Sequence, residues 1–100
     1  MIKVEVLPWL SNVMRNREVG RIRFEHELKG TTFRDLLEEL SGQDTSFARV
    51  VYDQSIREMR YPAVAAINDQ LMEFTGGLET PLSEGDRVVL MATYTGGARE

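Results

Sequence analysis

Phe33, Leu36, Leu37 and Leu40 stand at i, i+3, i+4 and i+7, one apolar stripe on an otherwise polar segment from Thr32 to Ser41. A helix with one greasy face must bury it against a second layer, and in a chain of 100 residues that layer has to come from the flanking segments. Thr32 caps the predicted start, with Asp35 three residues on as a shortened capping box. Gly42 stands where a left-handed helix stop is expected.

The flanks read as strands. Ile2 to Leu7 alternates apolar Ile2, Val4 and Val6 with Lys3 and Glu5, and Pro8 ends it because proline cannot donate to a ladder. Trp9, Leu10, Val13 and Met14 form a short apolar cluster, either a helical turn or a wide loop. A second strand is predicted from about Glu18 to Leu28, with Ile22, Phe24, His26 and Leu28 on one face and Arg21, Arg23, Glu25 and Glu27 on the other; Lys29-Gly30 breaks it. Two strands so close in sequence predict an antiparallel pair with a longer connection.

Beyond the helix, Gln43 to Arg60 carries the weakest pattern. Phe47, Val50 and Val51 fit a short helix or an added strand, and Asp53 to Arg60 reads as a solvated loop. Tyr61 to Asn68 contains the run Ala63-Val64-Ala65-Ala66-Ile67, apolar on both faces as an inner strand is. Asn68-Asp69 is turn chemistry, so Gln70 to Phe74 returns as a short strand. Thr75-Gly76-Gly77 is another turn, Leu78 to Leu82 a tight helical turn, and Arg87 to about Tyr94 the final strand. This order, with strands at both ends and one principal helix crossing between them, is the α+β layout called β-grasp or ubiquitin-like. It is a mixed four- to five-stranded sheet on one main helix, with the first and last strands parallel at its centre. The expected division is a domain over residues 1–94 and a C-terminal tail over 95–100 that carries Gly96-Gly97.

The chemistry that is missing narrows the function. There are no cysteines, which removes disulfides, thiolate metal sites and cysteine nucleophiles together. The net charge is −4, and Arg15, Arg17, Arg21 and Arg23 are interrupted by Glu18 and Glu25, so a nucleic-acid track is not expected. No apolar run is long enough for a signal peptide or membrane span, which makes a cytoplasmic protein the simplest expectation. The one histidine, His26, lies on the apolar side of its strand and reads as structural. Glu38-Glu39 read as solvent residues, and Asp44, Asp53, Glu58 and Asp69 are too scattered to hold a metal. The chain does not read as an enzyme by itself.

Two Gly-Gly pairs remain. Gly76-Gly77 lies between ordered elements and supplies turn angles. Gly96-Gly97 follows the last strand, where a turn has nothing to connect. Residues without a Cβ let a chain end enter a narrow active site, and a terminal glycine leaves its carboxylate open to attack.

The segment from Gly76-Gly77-Leu78-Glu79-Thr80-Pro81-Leu82 through Gly85-Asp86-Arg87-Val88 to Gly96-Gly97 resembles the C-terminal half of MoaD/ThiS-like sulfur carriers. These include the small subunit of molybdopterin synthase. The helix start Thr32-Phe33-Arg34-Asp35-Leu36-Leu37 and the strand end Ala66-Ile67-Asn68-Asp69 match the same pattern. The resemblance implies chemistry performed by partners. An E1-like enzyme uses ATP and magnesium to adenylate the C-terminal glycine, here Gly97 with Gly96 as its slim approach. A sulfur donor then converts it to a thiocarboxylate, which delivers sulfur to an acceptor enzyme such as a molybdopterin synthase large subunit. The carrier itself holds no cofactor. The resemblance also implies docking through one sheet face and the last strand, for which Leu71, Phe74, Val89 and Met91 are candidates, with ordinary core as the competing reading.

Family members commonly end at the glycine pair, whereas this sequence continues Ala98-Arg99-Glu100. An amide at Gly97 cannot be adenylated, so cleavage between Gly97 and Ala98 by a JAMM-type zinc protease is expected. Two other classes stand beside the sulfur carrier: a ubiquitin-like modifier conjugated through Gly97, and a β-grasp interaction module whose tail has no chemistry.

Overall fold

In the computed structural model, which describes residues 1–92, Pro8 both ends the first strand and opens a helix. Strand β1 (Ile2–Val6) stops before it, and α1 (Pro8–Arg15) begins on it. Proline is suited to a first helical position, where no intrahelical partner for its N–H exists. Of the two readings of the Trp9–Met14 cluster, the helix holds. α1 buries Leu10 and Met14, turns Trp9 and Val13 outward, and stops at Asn16 in the left-handed region (φ 57°).

The next strand is shorter than the alternation predicts. β2 spans Ile22–His26 instead of starting near Glu18. The Asn12 side-chain oxygen accepts from the backbone N–H groups of Val19 (2.9 Å) and Gly20 (3.0 Å), which ties that stretch to α1 and away from the ladder. β2 pairs antiparallel to β1, with Ile2 opposite His26 and Val6 opposite Ile22.

Helix α2 (Phe33–Gln43) carries the predicted stripe. Phe33, Leu36, Leu37 and Leu40 are all buried. The capping box is formed: the Asp35 N–H donates to Thr32 Oγ1 (3.2 Å), and Asp35 Oδ2 accepts from Thr32 N (3.1 Å) and Thr31 N (2.8 Å). The other end corrects the sequence expectation. Gly42 lies inside the helix, which stops at extended Asp44, whose N–H still reaches Leu40 O (2.9 Å). The left-handed stop is not used because a single extended residue, Asp44, leads directly into the next helical turn, so glycine at 42 is not called on for a positive φ.

After α2 come one π-helical turn (Phe47–Val51) and a two-residue ladder, β3 (Tyr52–Asp53) with β4 (Glu58–Met59). The turn buries Phe47 and Val51. The remaining elements are β5 (Ala63–Ile67), β6 (Gln70–Leu71), single 3-10 turns over Met72–Phe74 and Gly77–Glu79, and β7 (Arg87–Ala92). The expected strand at Gln70–Phe74 is therefore only two residues long before it coils. Asn68 and Asp69 take φ of 50° and 71°, the paired left-handed angles of a tight hairpin. Gly76 (φ 124°) and Gly77 (φ 63°) supply the turn read from the sequence.

The main sheet has the order β2-β1-β7-β5-β6, with β1 and β7 parallel in the middle and Lys3 opposite Arg87. β5 pairs antiparallel to β7 and is an inner strand. This is the β-grasp arrangement. Ile2, Val4, Val6, Ala63, Ala65, Ile67, Val88 and Leu90 from the sheet meet the α2 stripe, Leu10, Met14, Phe47, Val51 and Tyr52 in one core. The start of α2 is docked to the segment before β7 by Phe33 N to Thr80 O and Leu82 N to Thr31 O, both 2.8 Å.

Candidate functional site

Because successive strand residues face opposite ways, β7 divides its side chains between two environments. Val88 and Leu90 are fully buried, while Val89 and Met91 lie half-buried on the opposite, outer face. The register continues that row outward: Val89 is opposite Ala66, Ala66 is opposite Leu71, and Met91 is opposite Val64. Leu71 is 42% exposed, and Phe74, in the turn after β6, is 76% exposed. The four docking candidates are therefore not core residues. Leu71, Val89 and Met91 share one side of the β7-β5-β6 half of the sheet, and Phe74 projects from the turn that leaves it.

The other half of the same face is charged. Glu5, opposite Val89 across β1, lies 3.0 Å from Arg21 and 3.8 Å from Arg23. Lys3 is between Glu25 and Arg87 in register, and Arg87 reaches Asp69 at 2.6 Å. The outer face is thus apolar on its β7-β5-β6 half and charged on its β2-β1 half.

β7 delivers the chain end from the apolar half. Ala92 is opposite Ala63 of β5, and Leu7 N donates to Leu90 O (2.9 Å), so β7 ends where β1, β5 and β7 come together. Gly96, Gly97 and Ala98, together with the boundary expected at 94/95, lie outside the described residues.

A second apolar cluster was not anticipated. Trp9, Val13, Ile56 and Tyr61, all exposed, line a hollow with Met59 and Pro62 near the start of β5. Its members are separated by up to fifty-two residues in sequence, so no local pattern could have announced it.

The charged groups of α2 are also more ordered than expected. Glu38 and Glu39 are not free solvent residues. Glu38 Oε2 accepts from the Tyr52 hydroxyl (2.8 Å) and from Arg57 Nε (2.7 Å), which pull its carboxyl below the usual range. Glu39 accepts from His26 Nε2 (2.7 Å), Lys29 N (3.1 Å) and Gly30 N (2.8 Å). Partial burial pushes the Glu39 carboxyl up, but those donors outweigh it and hold it below its ordinary value. His26 is structural: buried, it joins β2 to α2 through this carboxylate. Among the described residues no group of three or more His, Asp or Glu side chains is placed to hold a metal ion, and no helix is long and apolar enough to cross a membrane.

The profile of the ThiS family matches residues 15–97, through the second glycine of the C-terminal pair. The chain belongs to the ThiS family. It is thus a ubiquitin-fold protein of the sulfur-carrier or modifier class, whose members are carriers and not themselves enzymes. Solved structures share the fold at low sequence identity. A chain of the Amycolatopsis orientalis BexX/CysO complex aligns over 97% of this chain and 100% of its own, with 20% identity and a TM-score of 0.66. Urm1 from Trypanosoma brucei aligns over 96% and 94%, with 20% identity and a TM-score of 0.68. SAMP1 from Haloferax volcanii aligns over 96% and 98%, with 17% identity and a TM-score of 0.65. The chain has no significant sequence match among curated proteins.

Proposed function

We propose that this ThiS-family chain is a sulfur carrier activated at the Gly97 carboxylate after removal of Ala98-Arg99-Glu100. The observation that carries the reading is the family match running through Gly97, on a chain whose β7 leads there from the edge of an exposed apolar sheet face.

Cleavage of the Gly97–Ala98 amide by a JAMM-type protease frees the carboxylate. An E1-like enzyme, using ATP and magnesium, joins it to AMP and releases pyrophosphate. A sulfur donor displaces AMP, leaving a thiocarboxylate whose sulfur attacks an acceptor held by a second enzyme, in molybdopterin or related cofactor or metabolite synthesis. The carrier contributes presentation: Leu71, Phe74, Val89 and Met91 dock the partner, and the glycine pair passes into its active site. A modifier conjugated to lysines through Gly97 shares the activation step and fits the same family. Isopeptide adducts in place of thiocarboxylate would select it.

ATP–pyrophosphate exchange with the cognate adenylating enzyme tests the reading. Protein ending at Gly97 supports exchange and the full chain does not. Exchange with the untrimmed chain would overturn the processing step.

A further inference from the structure

Among the described residues the main sheet ends at β2, and that edge is open. Lys3 N donates to Asp86 O and Leu7 N to Leu90 O, both at 2.9 Å, so the odd-numbered residues of β1 turn their backbone groups toward β7. Ile2, Val4 and Val6 therefore bond to His26, Phe24 and Ile22. The N–H and C=O groups of Arg23 and Glu25 are left pointing away from β1, and they bond to no other described residue.

An edge of this kind is a template for another strand unless something on it turns strands away, such as proline, a bulge or repelling charge. β6, at the other edge, is only two residues long. β2 has five residues and no proline, and its register with β1 runs without a bulge from His26 to Ile22. It does carry charge, but of both signs and in a particular order. Arg21 and Arg23 precede Phe24, Glu25 and Glu27 follow it, and all four are exposed.

That order is its own complement when reversed. If β2 pairs antiparallel with β2 of a second copy, centred on Phe24, then Arg23 stands opposite Glu25 of the second copy. Arg21 stands opposite Glu27, and two-fold symmetry makes each pair twice. Arg23 and Glu25 both present outward backbone groups, so they form the hydrogen-bonded pairs of an antiparallel ladder. The two Phe24 residues form the other kind of pair at its centre, about 4.5 Å apart at Cα. Sliding one strand by two residues sets Arg23 against Arg23, or Glu25 against Glu25, so the charges select a single register.

The side chains already in place leave room for that partner. Glu5 is the only carboxylate within salt-bridge reach of Arg21 (3.0 Å) and Arg23 (3.8 Å) among the described residues, and the Arg23 side chain is 68% exposed. Glu25 and Glu27 have no ion-pair partner among those residues. In register, the row Glu5–Arg23 would run on into Glu25 and Lys3 of the second copy, alternating in sign across four strands. On the inner face, half-buried Phe24 sits edge-on to Phe47, with ring centroids 6.3 Å apart, and a second Phe24 would cover what the described residues leave open.

We infer that the β2 edge is a self-association surface, joining the five-stranded sheets of two copies into one through an antiparallel β2–β2 ladder. The apolar β7-β5-β6 half lies at the other side of each sheet and stays uncovered. The pairing does not depend on the chemistry of Gly97.

Sedimentation equilibrium of the full chain over a range of concentrations, with amide hydrogen exchange, tests the pairing. The expected parent is a monomer–dimer equilibrium that salt weakens, with the Arg23 and Glu25 amides more protected as concentration rises. Arg21→Glu/Arg23→Glu makes every charge along the edge acidic, and Glu25→Arg/Glu27→Arg makes every charge basic. Circular dichroism checks that both variants are folded. Each is monomeric alone, and an equimolar mixture returns a dimer because every facing pair is again opposite in sign. A parent still monomeric at millimolar concentration would overturn the pairing and leave the edge to a strand of another protein. A dimer that persists in both variants, or a mixture of folded variants that stays monomeric, would overturn it too. The exchange result on the parent decides the matter even where a variant fails to fold: dimerisation without added protection at Arg23 and Glu25 would place the contact elsewhere.

Discussion

The inner and outer faces of β7 carry similar side chains under opposite obligations. Val88 and Leu90 point into the core and are fully buried; Val89 and Met91, one residue out of phase, lie on the outer face beside exposed Leu71. The inner row is accounted for by folding, because it covers the α2 stripe. The outer row covers nothing among the described residues. Apolar groups that the fold does not need, beside the strand leading to Gly96-Gly97, are the strongest structural sign of a partner surface.

The contrast can be broken from the inside first. Leu90→Ala removes a wholly buried side chain between β1 and β5 and should destabilise the fold by about 2–5 kcal/mol, read from urea unfolding. A cost below about 1 kcal/mol would mean that the inner row is not what holds the sheet to α2.

Glu39→Ala comes next, at about 2 kcal/mol, since it leaves His26 and two loop N–H groups without their charged acceptor. Its pH dependence fixes the cause. The Glu39 carboxyl is held below its usual value of 4.5, so its contribution is present above that value and is lost as pH falls through the lowered folded value. The gap between parent and variant should be full at neutral pH and close in acid. A gap that widens on acidification would refute the role of the Glu39 carboxylate as acceptor.

Thr32→Ala removes the oxygen that accepts from Asp35 N and should cost about 1 kcal/mol, visible as a lowered Tm. The smallest stability effect belongs to the outer row. Leu71→Ser and Phe74→Ser should each stay within about 0.5 kcal/mol of the parent while reducing pyrophosphate exchange with the adenylating enzyme. Loss of stability with exchange intact would reverse the assignment of the two faces.

These differences also explain what the sequence made legible. The α2 stripe, the capping box at Thr32 and the alternation in β1, β5 and β7 are written at fixed short periods, and the fold follows from them. The outer patch was half visible for the same reason: alternation places Val89 and Met91 on one face but cannot say which face is covered. Gly42 misled because a glycine permits a left-handed stop without requiring one, and the helix ends through Asp44 instead. Residues 43–60 resisted because their order comes from outside the stretch: Tyr52 and Arg57 on Glu38, and Arg49 Nη2 on Met14 O at 2.6 Å. Glu39 looked like a solvent residue because its partners, His26, Lys29 and Gly30, reach it only once β2 has packed beside α2.

The central claim is that Gly97 becomes the reactive end of the protein. The intact mass of the chain purified from its native cell tests that most directly. The account predicts loss of Ala98-Arg99-Glu100, with a fraction of the shortened chain carrying sulfur in place of one carboxylate oxygen. A population that keeps all three residues, under conditions where the carrier is in demand, would contradict it.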